Sequence, residues 1–300
     1  MSKAPKEIPH SIPKKAPICI GASFPVVKLA RALFINKKIP DDALEEVPAA
    51  AKGRLFICEG LWAAEKLIKK NISIPFFLYC PDHIKTEEQK RTVMLLTYAA
   101  NETFLISDKV CAKISDRDGA DGFFIIAEMP KYALSDLPLQ DTMTVLILDG
   151  QEQPGNIGAS LRSLDGAGGA FAICTNRRVK MTHSRLIRSS LGAAFTMPVA
   201  EAPIEKVISY LQENEFKIMV TDLQATKNYY EADYSGRVAI VAGNEFLGIS
   251  SVWRTLPNAC PIIIPMLGSC ESLNVGFAST LVAYESSLRQ KGLLRRDISE

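Results

Sequence analysis

The chain has 300 residues, 47% of them hydrophobic and 23% charged, with a formal net charge of +2. That apolar share builds a sizeable core over one large domain or two ordinary ones, and it excludes a disordered chain. A near-neutral balance does not announce a nucleic-acid binder, so any such surface must be local. Seven cysteines without a CxxC pair read as reduced thiols, and three isolated histidines (His10, His83, His183) give no zinc site and no metal. The Lys- and Pro-rich start lacks the apolar core of a secretory signal, and no apolar run could span a bilayer. The expected compartment is the cytoplasm.

Residues 1–19 read as a flexible basic arm, with Lys3, Lys6, Lys14 and Lys15. A helix is expected over 23–38, with Ser23 as N-cap and Pro25 in the first turn. Apolar runs at 54–58, 74–80, 103–106 and 122–128 read as strands. Helices are expected between them: through Lys70, from Thr86 to about Ala100 with Glu87 and Glu88 in the first turn, and from Ser107 to Ile114. Such alternation makes a small α/β domain over 20–130. Two prolines and no clear period mark 131–142 as a linker.

A second alternation fills 143–300. Strands are expected at 144–148, 170–174, 217–221, 238–242 and 262–264. Helices are expected at 156–165, 184–191, 203–212 and after Ser272. The strand runs are continuously apolar, as parallel strands covered on both faces should be. Ligands in such sheets bind beyond the carboxyl ends of the strands. Three Gly-rich polar loops leave strands in that way, at 149–156, 243–250 and 265–274. Gly166-Ala-Gly-Gly169 follows a helix and lacks the dinucleotide order. No P-loop and no GxSxG elbow occurs.

The segments Gly155-Asn-Ile-Gly-Ala-Ser-Leu-Arg-Ser163, Ala242-Gly-Asn-Glu-Phe-Leu-Gly-Ile-Ser250 and Ile264-Pro-Met-Leu-Gly-Ser-Cys-Glu-Ser-Leu-Asn-Val275 resemble, in order and spacing, the three motifs of the SpoU-type (TrmH-like) branch of the SPOUT RNA methyltransferases. Residues 20–130 resemble, more weakly, the L30-like substrate-binding domain that often precedes it. The resemblance implies an α/β trefoil-knot domain with a parallel sheet. It implies S-adenosylmethionine as cofactor, methyl transfer to a ribose 2′-hydroxyl of RNA, ribosomal before transfer RNA, and a homodimer. The alternative from another class is a non-catalytic RNA-binding dimer of the same fold.

By the same resemblance Leu223, Gly243, Ile264 and Leu273 contact the cofactor, largely through backbone. Otherwise Gly243 is a turn glycine, and Ile264 and Leu273 are core. Asn156, Arg162, Glu245, Ser272 and Asn274 fall on the catalytic positions. Arg162 serves as a phosphate clamp or as the base, and the sequence leaves both open, although arginine almost never loses its proton. Glu245 orients Arg162 or the ribose, or caps a turn. Ser272 is a candidate helix cap, and Asn274 the better group to position the hydroxyl. Arg177, Arg178, Lys180, Arg185 and Arg188 form a local basic run. Two departures stand out. Gly166, Gly168 and Gly169 with Asp165 weaken the first motif's helix, and Phe246 stands where relatives often have glycine.

Overall fold

The computed structural model describes residues 16–45, 47, 49–115 and 120–294. The expected basic arm lies outside the described residues for 1–15. The chain forms two compact units that divide between Met129 and Pro130.

The first unit holds β1 (Ile18–Cys19), α1 (Pro25–Phe34), β2 (Leu55–Glu59), α2 (Ala64–Lys69), β3 (Phe76–Tyr79), α3 (Glu87–Ala99), β4 (Glu102–Leu105), α4 (Asp108–Ile114) and β5 (Phe123–Glu128). Its mixed sheet runs β1-β4-β3-β5-β2, with β5 antiparallel to both neighbours. Ile18 and Cys19, expected in the arm, pair parallel with β4. Ser23 does not cap α1. Phe24 is the junction residue, held extended by the proline that follows it, and Pro25 opens the helix. Thr86 does cap α3, in a reciprocal box with Gln89.

The second unit holds β6 (Met143–Asp149), α5 (Pro154–Ala167), β7 (Ala172–Thr175), α6 (Ser184–Ser190), α7 (Ala193–Thr196), β8 (Val199–Glu201), α8 (Ile204–Glu213), β9 (Lys217–Thr221), β10 (Arg237–Ala242), α9 (Val252–Thr255), β11 (Ala259–Ile262) and α10 (Val275–Gln290). Its six-stranded sheet is parallel throughout, in the order β11-β9-β10-β6-β7-β8. Every residue of β6 is buried, which explains why that strand reads as an unbroken apolar run. The segment read as a linker joins this unit: Tyr132 bridges Ala200 and Leu137 is buried.

Three boundaries differ from expectation, each for a local reason. The strand expected at 262–264 is β11, Ala259–Ile262, which contains Pro261. An edge strand tolerates a proline because one of its sides needs no N–H. Beyond Ile262 its partner β9 has ended, and Ile263 pairs instead with the segment 227–229. The first motif's helix starts at Pro154, so Asn156 lies inside its first turn and is not its N-cap. Nor do the glycines break it: Gly168 adopts the left-handed conformation and Gly169 N–H reaches back to Leu164 O at 2.8 Å, a helix-ending turn. Ser272 does not cap the last helix. Asn274 does, its Oδ1 accepting Gly276 N–H at 2.9 Å.

In register, Ala242 lies beside Leu148 and Ile262 beside Thr221. The loops that follow β6, β9, β10 and β11 therefore leave the same edge of the sheet.

Candidate active site

Three of those loops are joined by a chain of side-chain hydrogen bonds. Asn274 Nδ2 donates to Asn156 Oδ1 at 3.0 Å, across 118 residues of sequence. Asn156 Nδ2 donates to Glu245 Oε1 at 2.8 Å. Glu245 also accepts the backbone N–H groups of Glu152 and Gln153, each at 3.2 Å. The polarity of this chain is set by chemistry. An ionised carboxylate only accepts, so Asn156 must turn its NH2 toward Glu245 and its oxygen toward Asn274. Asn274 must then donate to Asn156, which leaves its own oxygen for Gly276 N–H. One Nδ2–H of Asn274 stays available, on an exposed side chain.

Beside this chain lies a cavity of about 500 Å³. Leu223, Gly243, Ile264 and Leu273 all line it, with Glu245, Ser272 and Asn274. Its wall mixes aliphatic side chains (Ile262, Ile263, Met266, Val275) with main chain. Among the described residues no backbone–backbone hydrogen bond ties 264–273, so its N–H and C=O groups can read a ligand. Gly243 is more than a turn glycine. A Cβ there would sit 2.5 Å from the carbonyl carbon of Gly248 and 2.6 Å from Ile249 N, so only glycine lets the loop close on itself. Ile264 and Leu273 are not core: Ile264 is half-buried and Leu273 is exposed.

Arg162 is not brought into the chain. It is exposed, it does not line the cavity, and it makes no ion pair among the described residues. Six residues beyond Asn156 place it about 9 Å along α5 and about 120° round it. Glu245, a candidate to orient it, is committed to Asn156 instead. In the basic run Arg177 pairs with Glu201 at 3.0 Å and Arg178 with Glu152 at 2.8 Å. Lys180, Arg185 and Arg188 are exposed. Burial, with Arg185 beside it, holds the His183 imidazole below its ordinary pKa, and its Nδ1 caps α6 by accepting Arg185 N–H.

Several residues that build the site were not among the candidates the sequence singled out. Asn244 Oδ1 accepts the N–H groups of Phe246 and Leu247, both at 2.9 Å, while its Nδ2 donates to Gly150 O at 2.8 Å. This side chain shapes the second loop and ties it to the first. Asp149 is fully buried at the end of β6, where it accepts from Ser250 N–H, Trp253 Nε1 and Asn176 Nδ2. Asp222 accepts two bonds from Arg254, at 2.6 and 3.0 Å, which hold its carboxyl below the usual carboxylate range. A polar residue closing an unbroken apolar run was the one hint available for Asp149 and Asp222.

Residues 143–284 match the SpoU rRNA Methylase family. The 23S rRNA (guanosine-2'-O-)-methyltransferase RlmB of Salmonella typhi is 31% identical over 217 residues, covering 69% of this chain and 88% of that protein. The chain belongs to the SpoU rRNA methylase family. The 23S rRNA (uridine(2479)-2'-O)-methyltransferase of Streptomyces viridochromogenes is 29% identical over 172 residues, covering 55% of this chain and 59% of that protein, so the match spans less than two thirds of that relative. An AdoMet-bound rRNA methyltransferase from Sinorhizobium meliloti superposes with a TM-score of 0.77 at 23% identity, over 92% of this chain and 98% of that one. That likeness shows a shared fold. The SpoU membership that the three motifs suggested thus stands on sequence, and the α/β class with its parallel sheet on structure.

Proposed function

We propose that the chain transfers a methyl group from S-adenosylmethionine to a ribose 2′-hydroxyl of ribosomal RNA. The observation that carries this is the Asn274–Asn156–Glu245 chain on the wall of a cavity with free main-chain groups. Family membership and the relatives' names point the same way.

The cavity suits a purine nucleoside with a cationic sulfur. Aliphatic side chains offer faces for the base, unpaired backbone groups can read its edge, and Glu245 supplies a nearby negative charge. Leu223, Gly243, Ile264 and Leu273 would hold the adenosyl part. Bound there, S-adenosylmethionine supplies a methyl group electrophilic enough for an oxygen nucleophile. The residues of the chain have the other half of the task. A 2′-hydroxyl attacks poorly until its proton leaves or its developing charge is stabilised. The spare Nδ2–H of Asn274 donates to that oxygen and fixes its direction. Because Asn274 is exposed, the hydroxyl proton leaves to solvent water as the methyl group bonds to oxygen. Asn156, gripped by Glu245, keeps Asn274 from rotating. Arg162 keeps its proton and clamps an adjacent phosphate, as an exposed and unengaged guanidinium can. Ser272, exposed on the cavity rim, supplies a second hydroxyl contact to the ribose.

The working unit is a homodimer. Phe277, Leu281 and Tyr284 recur at helical spacing on α10 and are 67%, 41% and 41% exposed, while Ser279, Val282, Ala283 and Ser286 face inward. A helix apolar on its outer face asks for a partner. The first unit assists in RNA recognition as an L30-like domain. Among the described residues no helix is long and apolar enough to cross a membrane. The cytoplasm is the compartment that a ribosomal substrate calls for.

Tritiated methyl transfer to protein-free ribosomal RNA, mapped by nuclease digestion, tests the reading. A resistant 2′-O-methyl dinucleotide is expected. No transfer, together with no calorimetric binding of S-adenosylmethionine at millimolar concentration, would leave an RNA-binding dimer instead.

A further inference from the structure

Phe246 is the residue of this site that the proposed chemistry leaves without a task. It follows Glu245 directly and lines the same cavity as Asn274, yet its side chain is 80% exposed. An aromatic ring in water loses the burial that ordinarily retains it. Its backbone, by contrast, is held firmly. Its N–H goes to Asn244 Oδ1, the loop closes through Asn244 N–H to Gly248 O at 2.8 Å and Gly248 N–H to Asn244 O at 3.0 Å, and Gly243 packs against the returning strand. The ring is therefore presented from a fixed point on the rim. Leu247, next to it and lining the same cavity, is 73% exposed.

We propose that Phe246 is a positioning residue for the RNA substrate: its ring forms the platform on which the base of the target nucleotide stacks, while Asn274 holds the ribose of that nucleotide. The inference rests on the ribose-methylation reading of the same cavity. A nucleotide whose ribose meets Asn274 must place its base somewhere close by, and a base removed from its helix needs a flat apolar partner. Phe246 is fixed one residue from the carboxylate that anchors the asparagine chain, so platform and ribose contact belong to one rigid construction. Stacking accepts any base face, so the platform sets affinity and orientation rather than base identity.

Two variants and two readouts test this. Phe246→Ala is expected to raise KM for ribosomal RNA about tenfold or more, with the Kd of S-adenosylmethionine within twofold of wild type, while Phe246→Tyr stays near wild type on both. In Phe246→Trp, indole fluorescence is read against the wild-type background of Trp62 and Trp253. Protein-free ribosomal RNA is expected to quench the added signal, and S-adenosylmethionine alone to leave it unchanged. Quenching by the cofactor alone, or a weakened cofactor Kd with an unchanged RNA KM, would make Phe246 a cover over the adenosyl pocket and overturn the proposal. An unchanged KM in Phe246→Ala also overturns it. Failure of the methylation reading is seen separately, as absence of transfer by the wild-type chain.

Discussion

Asn156 has two partners and no rotational freedom to lose. Its amide is read from one side by a carboxylate and from the other by a second amide. Replacing it with aspartate keeps the shape and reverses the chemistry, since a carboxylate cannot donate to Glu245. We expect Asn156→Asp to lower kcat as much as Asn156→Ala, by about 100-fold on the scale of a lost transition-state donor. Cofactor affinity measured by calorimetry should stay within twofold for Asn156→Ala. An Asn156→Asp enzyme that retained wild-type kcat would show that the chain does not act through hydrogen-bond polarity. At this scale the sequence singles out candidate residues but not what they touch. Motif spacing brought out Asn156, Glu245 and Asn274. It left Glu245 open between Arg162, the ribose and a turn, and offered Ser272 as a candidate cap of the last helix where Asn274 does that work. Pairings across 118 and 89 residues of sequence leave no local trace.

Among the elements, α5 carries both Asn156 and Arg162, and its position depends on how closely α6 approaches it. Gly158 marks the crossing. A Cβ there would overlap Ser189 Oγ and lie 2.6 Å from Leu186 O and 2.9 Å from Ser190 N, all on α6. Backbone atoms cannot step aside as a side-chain tip can. Gly158→Ala should therefore cost about 2–3 kcal/mol despite alanine's better helix propensity, read as a lowered urea midpoint at unchanged slope. A neutral or stabilising result would mean that the two helices slide apart freely. The turn after β9 is latched differently. Asp222, with a folded pKa below its ordinary value through Arg254, contributes stability that is complete above about pH 4, the unfolded carboxylate value, and is lost as pH falls through the lowered one. Followed by the fluorescence of Trp253, buried next to Arg254 in sequence, wild type and Asp222→Asn should differ most near neutral pH and converge in strong acid. Parallel curves across that range would deny the latch any electrostatic part. The longer elements were legible from apolar period and length, whereas β8, α7 and α9, of three or four residues each, are too short to show a period. Element ends were less so: β11 stops where its neighbour β9 stops, which no residue of β11 announces, while α5 begins at Pro154, a local start signal that motif spacing passed over.

For the whole molecule, alternating strands and helices declared an α/β chain in two parts, but no sequence feature orders the strands. The arrangement β11-β9-β10-β6-β7-β8 is what makes four loops leave one edge, and it follows from packing of buried faces across the sheet. The same packing gives α10 two different sides. Its inner face meets α5, β6 and β10, and its outer face shows Phe277, Leu281 and Tyr284. An assembly through this helix would bring a second copy against the element whose first turn is capped by Asn274, so oligomeric state and catalysis should be coupled. Phe277→Asp combined with Leu281→Asp places two charges on that face without touching the inner one. In sedimentation at micromolar protein the double variant is expected to run as a single chain of 32.9 kDa and wild type as a dimer. Its melting temperature extrapolated to low concentration should match that of wild type diluted to the same point. Methyl transfer should fall about tenfold or more, as expected when a substrate-positioning group is displaced by 1 Å or so. A wild-type chain that sediments as a monomer at every concentration, or a monomeric variant with full activity, would assign the outer face of α10 to something other than a second copy of this chain.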